Sequence, residues 1–374
     1  MASIMIFGDI CPDNDYRELF DSEHYGPFSS EIAEDIKHAS LVVGNLECPA
    51  TDNRTPIVKC GPTLRAEPKD IKLLSNIGFS VLSLANNHIL DYGIFSAEET
   101  IQKCNECGIK SVGAGKDAEQ ASKPLVIDLD GKKIGILSFA EAEFNLATDT
   151  APGANHFDPY TSYSDVSSLK EKTDYVIILY HGGIEDYKFP SPLLQKKCRG
   201  FVRAGADLVL CQHSHCIGTE ETFTNGTILY GQGNSVFGFR EGEKTWNEGL
   251  VVCIDSETWE LSYKLLEARE DGIHYADQKA TEQRRAQMLK DSAVITDANE
   301  IRSRWYKYCQ SQASLDMPLL YGKNRVYIKL NRIMKNRLID RFYSRKKQRI
   351  TMNLIRCESH HEVVQSILES KIFE

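Results

Sequence analysis

Five times in its first 215 residues this chain runs through a short stretch rich in Val, Ile and Leu and then stops at residues able to bind a metal or move a proton. Residues 3–7 lead to Asp9, and 41–44 to Asn45 and Glu47. Residues 81–85 lead to Asn86, Asn87, His88 and Asp91. Residues 175–180 lead to His181, and 208–212 to His213 and His215. Many of these runs are apolar at consecutive rather than alternate positions, the pattern of strands covered on both faces. Amphipathic stretches of helical period lie between them, at 28–38, 68–77 and 96–107, the last opening Ser96-Ala-Glu-Glu with capping-box spacing. Strands alternating with helices fold as α/β, and such sheets collect ligands at the carboxyl ends of their strands.

Further strands are expected at 133–139, 227–232 and 249–254, and Asp130-Gly131-Lys132 reads as a hairpin turn. The stretch 141–164 carries Pro152, Gly153, Asn155 and Pro159 with weak periodicity, and reads as a long surface loop of the kind that shapes a binding site. Past about residue 270 the strand patterns fade and helical ones follow, at 276–289, 297–312, 324–346 and 361–372. This predicts a first domain over 1–270 and a helical C-terminal extension over 271–374.

The charge divides at the same place. The net charge is −9, yet residues 271–374 hold 20 Lys+Arg against 12 Asp+Glu, a net +8, which leaves −17 on the first 270. An acidic body lacks the cations that phosphate backbones need, so no nucleic acid is expected there. Within 324–346, Val326, Leu330, Ile333, Leu338 and Phe342 recur on one helical face, and Lys and Arg crowd the rest. This reads either as a solvated basic helix packed by its apolar side, or as an interfacial helix, giving peripheral contact with an anionic membrane or an acidic partner through 324–349.

The 11 cysteines are odd in number and scattered, with one C-x-x-C at Cys104 and Cys107 and no second pair to complete a zinc site. They read as reduced, buried apolar thiols of a cytoplasmic protein. The N-terminus lacks the basic and apolar regions of a secretory signal, and no run of about 18 apolar residues occurs.

Taken singly, Asp9 reads equally as a turn residue, Asn86-Asn87 as a cap, and His181 before Gly182-Gly183 as a loop histidine. His213-Ser-His215 is different, because two histidines at i, i+2 beyond an apolar strand rarely serve packing. Together the sets offer carboxylates, amide oxygens and imidazoles. That donor mixture suits Mn²⁺, Fe²⁺, Zn²⁺ or Mg²⁺, and two such ions can clamp the attacking and leaving oxygens of a phosphoryl transfer.

The ordered motifs carry a closer resemblance. Gly8-Asp9, Gly44-Asn-Leu-Glu47, Leu84-Ala-Asn-Asn-His88 with Asp91 and Gly93, and His181-Gly-Gly-Ile-Glu185 come first. Ala204-Gly-Ala-Asp-Leu-Val-Leu with His213-Ser-His215, then Tyr230-Gly-Gln-Gly-Asn-Ser-Val-Phe237, complete the series. Over about residues 3–255 the chain resembles the CapA family, named for poly-γ-glutamate capsule synthesis and similar to calcineurin-like metallophosphoesterases. The resemblance implies a four-layer α/β/β/α sandwich with two divalent metal ions. Carried over by motif, Asp9 and His215 would bind the first metal, and Asn87, His181 and His213 the second. Glu47 would bind, and could bridge, with Asn45 beside it. His88, grouped with Asp91, would be the general acid, and Glu185 and Asn234 would orient ligands or substrate.

Two positions depart from the phosphoesterase pattern. Asp9-Ile10-Cys11 stands where Asp-x-His is usual, and Asn45 stands where an Asp is usual. The expected function is a divalent-metal-dependent hydrolase acting on an anionic small molecule or polymer, at a phosphoester or related bond, in capsule or cell-surface polymer metabolism. The alternatives are a non-catalytic accessory subunit of a capsule polymer synthase, or an amide hydrolase of poly-γ-glutamate.

Overall fold

In a computed structural model the protein is described over residues 3–12, 16–21, 25–320, 325–335, 337–338 and 343–356, with 360, 361, 364 and 368. The side chains of 313–318 and 356 are outside this description. By its internal contacts the chain forms two units, Met1–Ile301 and Arg302–Glu374.

In chain order the first unit opens with β1 (Ser3–Ile10), α1 (Arg17–Phe20), α2 (Ser30–His38), β2 (Leu41–Leu46), α3 (Pro68–Ile77), β3 (Val81–Ser83), α4 (Ile94–Glu106) and β4 (Lys110–Val112). There follow β5 (Ala114–Gly115), α5 (Ala118–Ala121), β6 (Leu125–Leu129), β7 (Lys132–Ala140), β8 (Gly153–Ala154), α6 (Ser162–Lys170), β9 (Tyr175–His181), α7 (Pro192–Arg203) and β10 (Leu208–Gln212). It closes with β11 (Glu220–Phe223), β12 (Gly226–Leu229), β13 (Asn234–Val236), β14 (Glu248–Asp255), β15 (Leu261–Arg269), β16 (Gly272–Tyr275) and α8 (Gln278–Ser292).

The strands make two large sheets. One runs β16-β15-β14-β1-β2-β3-β4, with β13 also on β1, and the other β11-β12-β10-β9-β7-β6. Alternate residues of the same strands go to different cores. In the first sheet Met5, Phe7, Val42 and Leu82 pack with Ile32, Ile36, Ile71 and Leu74 of α2 and α3. Their neighbours Ile4, Ile6, Val43 and Val81 face Ile134, Ile177, Leu179 and Leu210 of the second sheet. On its far side the second sheet packs Ile178, Tyr180 and Val209 against Val166, Leu169, Leu194 and Phe201 of α6 and α7. The result is the expected α/β/β/α four-layer sandwich. It explains the consecutive apolar runs, because both faces of each central strand are buried.

Strands β1, β2 and β3 run parallel, as do β7, β9 and β10, so their carboxyl ends deliver polar residues at a sheet edge. Gly8 allows β1 to end there, since a Cβ on it would sit 2.4 Å from the Gly233 carbonyl oxygen. Buried Gln232 ties the sheets together, donating to the carbonyls of Ile6 (2.7 Å) and Leu250 (3.0 Å) while accepting from Gln212 (3.3 Å).

Several expectations need amendment. Helix α4 begins at Ile94 after Gly93, and the Ser96 hydroxyl donates to the Gly93 carbonyl, so Ser96 lies inside the first turn instead of capping it. Helix α8 lies within the first unit, which therefore extends past residue 270 to Ile301. Met288 of α8 enters the inter-sheet core, and Arg284 pairs with buried Glu248. In the second unit, α9 (Ala298–Leu320, starting in the last residues of the first) precedes α10 (Arg325–Ile333) and α11 (Arg345–Arg356). The helical pattern over 324–346 is thus broken: a turn follows Ile333, with Lys335 in the left-handed region at φ 50°. The pattern over 361–372 lies largely outside the described residues.

Cys11, Cys48 and Cys104 are buried in the core beneath the first sheet, and no disulfide forms among the described residues. Burial pushes the Cys104 thiol up to about 12, as for a packing residue rather than a ligand.

Candidate metal centre

Asp9 is the penultimate residue of β1, Asn45 lies in β2, and Glu47 follows it; all three are fully buried. Asn87 and His88 follow β3, His181 ends β9, and His213 and His215 follow β10, all of them buried. Side chains far apart in sequence therefore meet at the edge shared by the two sheets.

Their geometry resolves into two overlapping trios. Glu47, His181 and His213 present ligand atoms within 4.8 Å of one another, and so do Asp9, Glu47 and His215. Glu47 belongs to both. Neither of its oxygens has a hydrogen-bond partner of normal geometry, although His181 Nε2 lies 3.3 Å and His215 Nε2 3.9 Å from Oε1. A buried carboxylate left this way is costly unless a cation completes it.

The surrounding hydrogen bonds fix how each ligand points. The Asn234 amide nitrogen donates to the Trp246 carbonyl (2.9 Å), so its oxygen is the atom 2.9 Å from His215 Nδ1. His215 therefore carries its proton on Nδ1 and keeps the Nε2 lone pair toward Glu47, the arrangement that metal-binding histidines use. Asn45 donates to Asp9 Oδ1 (2.7 Å), and its Nδ2 lies 3.2 Å from His181 Nδ1. That leaves the proton of His181 on Nε2, facing Asn87 Oδ1 at 2.9 Å. The His213 backbone N–H donates to Asp9 Oδ2 (3.0 Å), and its buried Nδ1 has no partner. His213 and His215 hold φ of 86° and 50°, a left-handed strain that non-glycine residues bear mainly where function requires it.

The charges are strongly coupled. Burial, and then the Glu47 carboxylate, pushes Asp9 up to about 6. Burial opposes ionisation of Glu47 too, but His181 and His215 outweigh it and hold the carboxyl at about 2. Burial likewise disfavours a charged His181, yet Glu47 and Asp9 raise it. For His213 burial wins, with His181 adding to it, and the imidazole falls to about 3. An imidazole kept neutral at His213, the ionised Glu47 carboxylate and its unpartnered oxygens fit a divalent cation of the Mn²⁺, Fe²⁺ or Zn²⁺ kind, which at His181 would take the place of the Nε2 proton. Asp9, Glu47 and His215 would hold one ion. Glu47, His181 and His213, with the Asn87 carbonyl oxygen, would hold another.

Beside the trios stands a second constellation. His88 Nδ1 lies 2.6 Å from Asp91 Oδ2, which leaves Nε2 facing Glu47 at 4.0 Å. Asp91 also accepts from the Leu64 N–H (2.7 Å) and from Lys59 Nζ (2.5 Å). The Lys59 side chain is 2% exposed although it comes from a surface loop. Lys59 was not legible in the sequence, because the stretch 52–63 has no period and holds no motif.

Glu185 stands apart: it lies in an exposed turn after β9 and makes no hydrogen bond or ion pair with the cluster. The acidic side chains that do approach come from the 141–164 loop. Glu143 accepts from Asn87 Nδ2 (3.3 Å). Glu141 accepts from Tyr180 (2.9 Å), Lys197 (2.8 Å) and the Gly183 N–H (3.2 Å). Buried Asn145 donates to the Asn86 carbonyl (2.9 Å). The sequence marked that loop as site-shaping but not these residues. Cys11 packs into the core under the first sheet and joins neither trio.

The four-layer sandwich thus carries two overlapping trios of candidate metal ligands at the edge its sheets share. Residues 3–239 match the family described as "Bacterial capsule synthesis protein PGA_cap", and the chain belongs to that family of capsule biosynthesis proteins. The "Capsule biosynthesis protein CapA" of Bacillus anthracis is 27% identical over 244 residues, 63% of this chain and 59% of that protein. The "PGA biosynthesis protein CapA" of Bacillus subtilis is 29% identical over 212 residues, 55% of this chain and 56% of that one. A "Probable polyglutamine synthesis accessory protein" of Mycobacterium tuberculosis is 28% identical over 185 residues, 46% and 49% of the two chains. The chain thus spans less than two thirds of the length of each of these relatives. Among solved structures, a 5'-nucleotidase precursor of Thermus thermophilus aligns with a TM-score of 0.42 at 14% identity, over 79% of this chain and 59% of that one.

Proposed function

We propose that the protein is a divalent-metal-dependent hydrolase acting on a phosphoester or related polar bond of an anionic substrate in capsule or cell-surface polymer metabolism. The observation that carries this reading is Glu47, a fully buried carboxylate with both oxygens unpartnered and shared between two ligand trios. Bound there, divalent ions would supply Lewis-acid polarisation and an activated water. The chain's own residues would do the rest. Asp91 accepts from His88 Nδ1 and orients the ring, so that Nε2 can carry a proton to a leaving oxygen. Asn234 and Asn45 hold His215 and Asp9 in their binding orientations.

The test is metal content by elemental analysis, then turnover of a panel of phosphomonoesters, phosphodiesters and γ-glutamyl peptides. Wild type should retain divalent metal, Glu47→Gln should lose it, and Asp91→Asn should retain it while losing about 10²–10⁴ in kcat. Metal-free wild type, or an Asp91→Asn enzyme as fast as wild type, refutes the reading. One observation favours a second one. Relative to the phosphoesterase pattern, two ligands are replaced by Asn45 and core-packed Cys11. That would suit a non-catalytic accessory subunit of a polymer synthase, whose partner binding would survive His88→Ala and Glu47→Gln.

A further inference from the structure

Helices α10 and α11 leave most of their aliphatic side chains in water. On α10, Val326, Leu330 and Ile333 recur at i, i+4 and i+7; Val326 is 65% exposed and Ile333 77%. Ile328 and Asn331 of the same helix are buried, so the exposed stripe is a distinct face. On α11, Ile350, Met352, Leu354 and Ile355 are all exposed. Exposed aliphatic clusters of this kind mark interaction surfaces.

The charge around these stripes is one-sided. Arg325, Lys329 and Arg332 flank the first, and Arg345, Lys346, Lys347 and Arg349 open the helix that carries the second. Neither helix contains an Asp or Glu, and across 321–357 the sequence has 12 Lys+Arg against one acidic residue, Asp340. A surface for a polyanion alone would need the cations but would gain nothing from exposed Leu, Ile and Met. A purely apolar interface would avoid so many desolvated cations. A bilayer of anionic lipid rewards both at once, taking the aliphatic side chains below the headgroups and leaving Lys and Arg, on their flexible stems, among the phosphates. No described helix is long and apolar enough to cross a membrane.

We propose that α10 and α11 form an interfacial anchor that docks the chain on anionic lipid bilayers. The inference rests on the second unit alone and stands whether or not the metal centre is catalytic.

The test is co-sedimentation of the full chain with phosphatidylcholine vesicles, with and without roughly one third phosphatidylglycerol. Binding should be at least about tenfold stronger to the anionic vesicles, and should weaken as salt rises from about 0.1 to about 0.5 M. A Lys329→Glu, Arg332→Glu, Lys346→Glu, Arg349→Glu variant should lose that preference. A Leu330→Ser, Ile333→Ser, Ile350→Ser, Leu354→Ser variant should lose at least about tenfold at the higher salt, where burial of apolar surface carries the affinity. Hydrogen exchange on the wild type needs no variant: anionic vesicles should protect amides within 325–333 and 345–356. Equal binding to neutral vesicles, protection confined to other segments, or a serine variant that binds as wild type does would overturn the proposal. The last result, joined to tight binding of duplex DNA, would mark a polyanion surface instead.

Discussion

Replacing Asn45 by Asp restores a carboxylate that metallophosphoesterases usually carry, and the structure says what this would do without metal. Asn45 Nδ2 now donates to Asp9 Oδ1 at 2.7 Å inside a fully buried site. An Asp at 45 would set two carboxylates at hydrogen-bond distance, and such a pair holds one proton between them at neutral pH. In the unfolded chain the new carboxyl ionises near 3.9, so holding that proton at pH 7 costs about 3 pH units, or about 4 kcal/mol. The native variant binds one more proton than its unfolded chain, so its stability falls as pH rises. The deficit against wild type should be about 3, 4 and 6 kcal/mol at pH 6, 7 and 8. Urea unfolding of chelator-treated proteins at these three pH values measures it. Adding Mn²⁺ should then reverse the order of benefit, because a cation takes over the proton's role and the variant offers one more charged ligand. Mn²⁺ should therefore raise the variant's unfolding midpoint by more than it raises that of wild type. A metal-free variant within about 1 kcal/mol of wild type at all three pH values refutes the picture of a closed, water-poor compartment. An Mn²⁺ gain no larger than in wild type refutes the assignment of position 45 to the metal centre.

Two further outcomes follow from the same geometry. Asp9 is pushed up to about 6, so it is protonated below that pH and a metal must displace the proton. Apparent metal affinity should therefore fall about fivefold between pH 6 and pH 5, read by isothermal titration. Asn234→Ala removes the acceptor that keeps the His215 proton on Nδ1, and should weaken metal binding by about 10–100-fold while far-ultraviolet circular dichroism stays unchanged.

Much of the fold was legible in the sequence because parallel strands buried on both faces leave a signal that no surface element imitates. Runs such as Val176–Leu179 can be satisfied only between two covering layers. The strands that escaped notice lie where that signal fails. In β15 apolar positions alternate with Ser262, Lys264 and Glu267 on a half-buried strand, and β13 and β16 have 3 and 4 residues. The C-terminal helices showed their period, but the break after Ile333 did not show, because no Gly or Pro marks it.

The sequence by itself determined the alternation of strands and helices, and its ordered motifs, through the resemblance they carry, named the sandwich and a set of candidate metal ligands. It did so because each ligand is tied locally to the end of an apolar strand, and the order of those ends is written in the chain. What only the tertiary structure decided is how near these candidate ligands come to one another. Asp9 and Glu47 come from one sheet and His181, His213 and His215 from the other, and the packing of Ile4, Ile6 and Val43 against Ile177 and Leu210 sets the register between them. The folded chain also leaves both Glu47 oxygens without a hydrogen bond of normal geometry and sets Lys59, from a loop, on Asp91. Spacing along a chain carries no information about such distances, because they are fixed by how two sheets stack and not by either sheet alone.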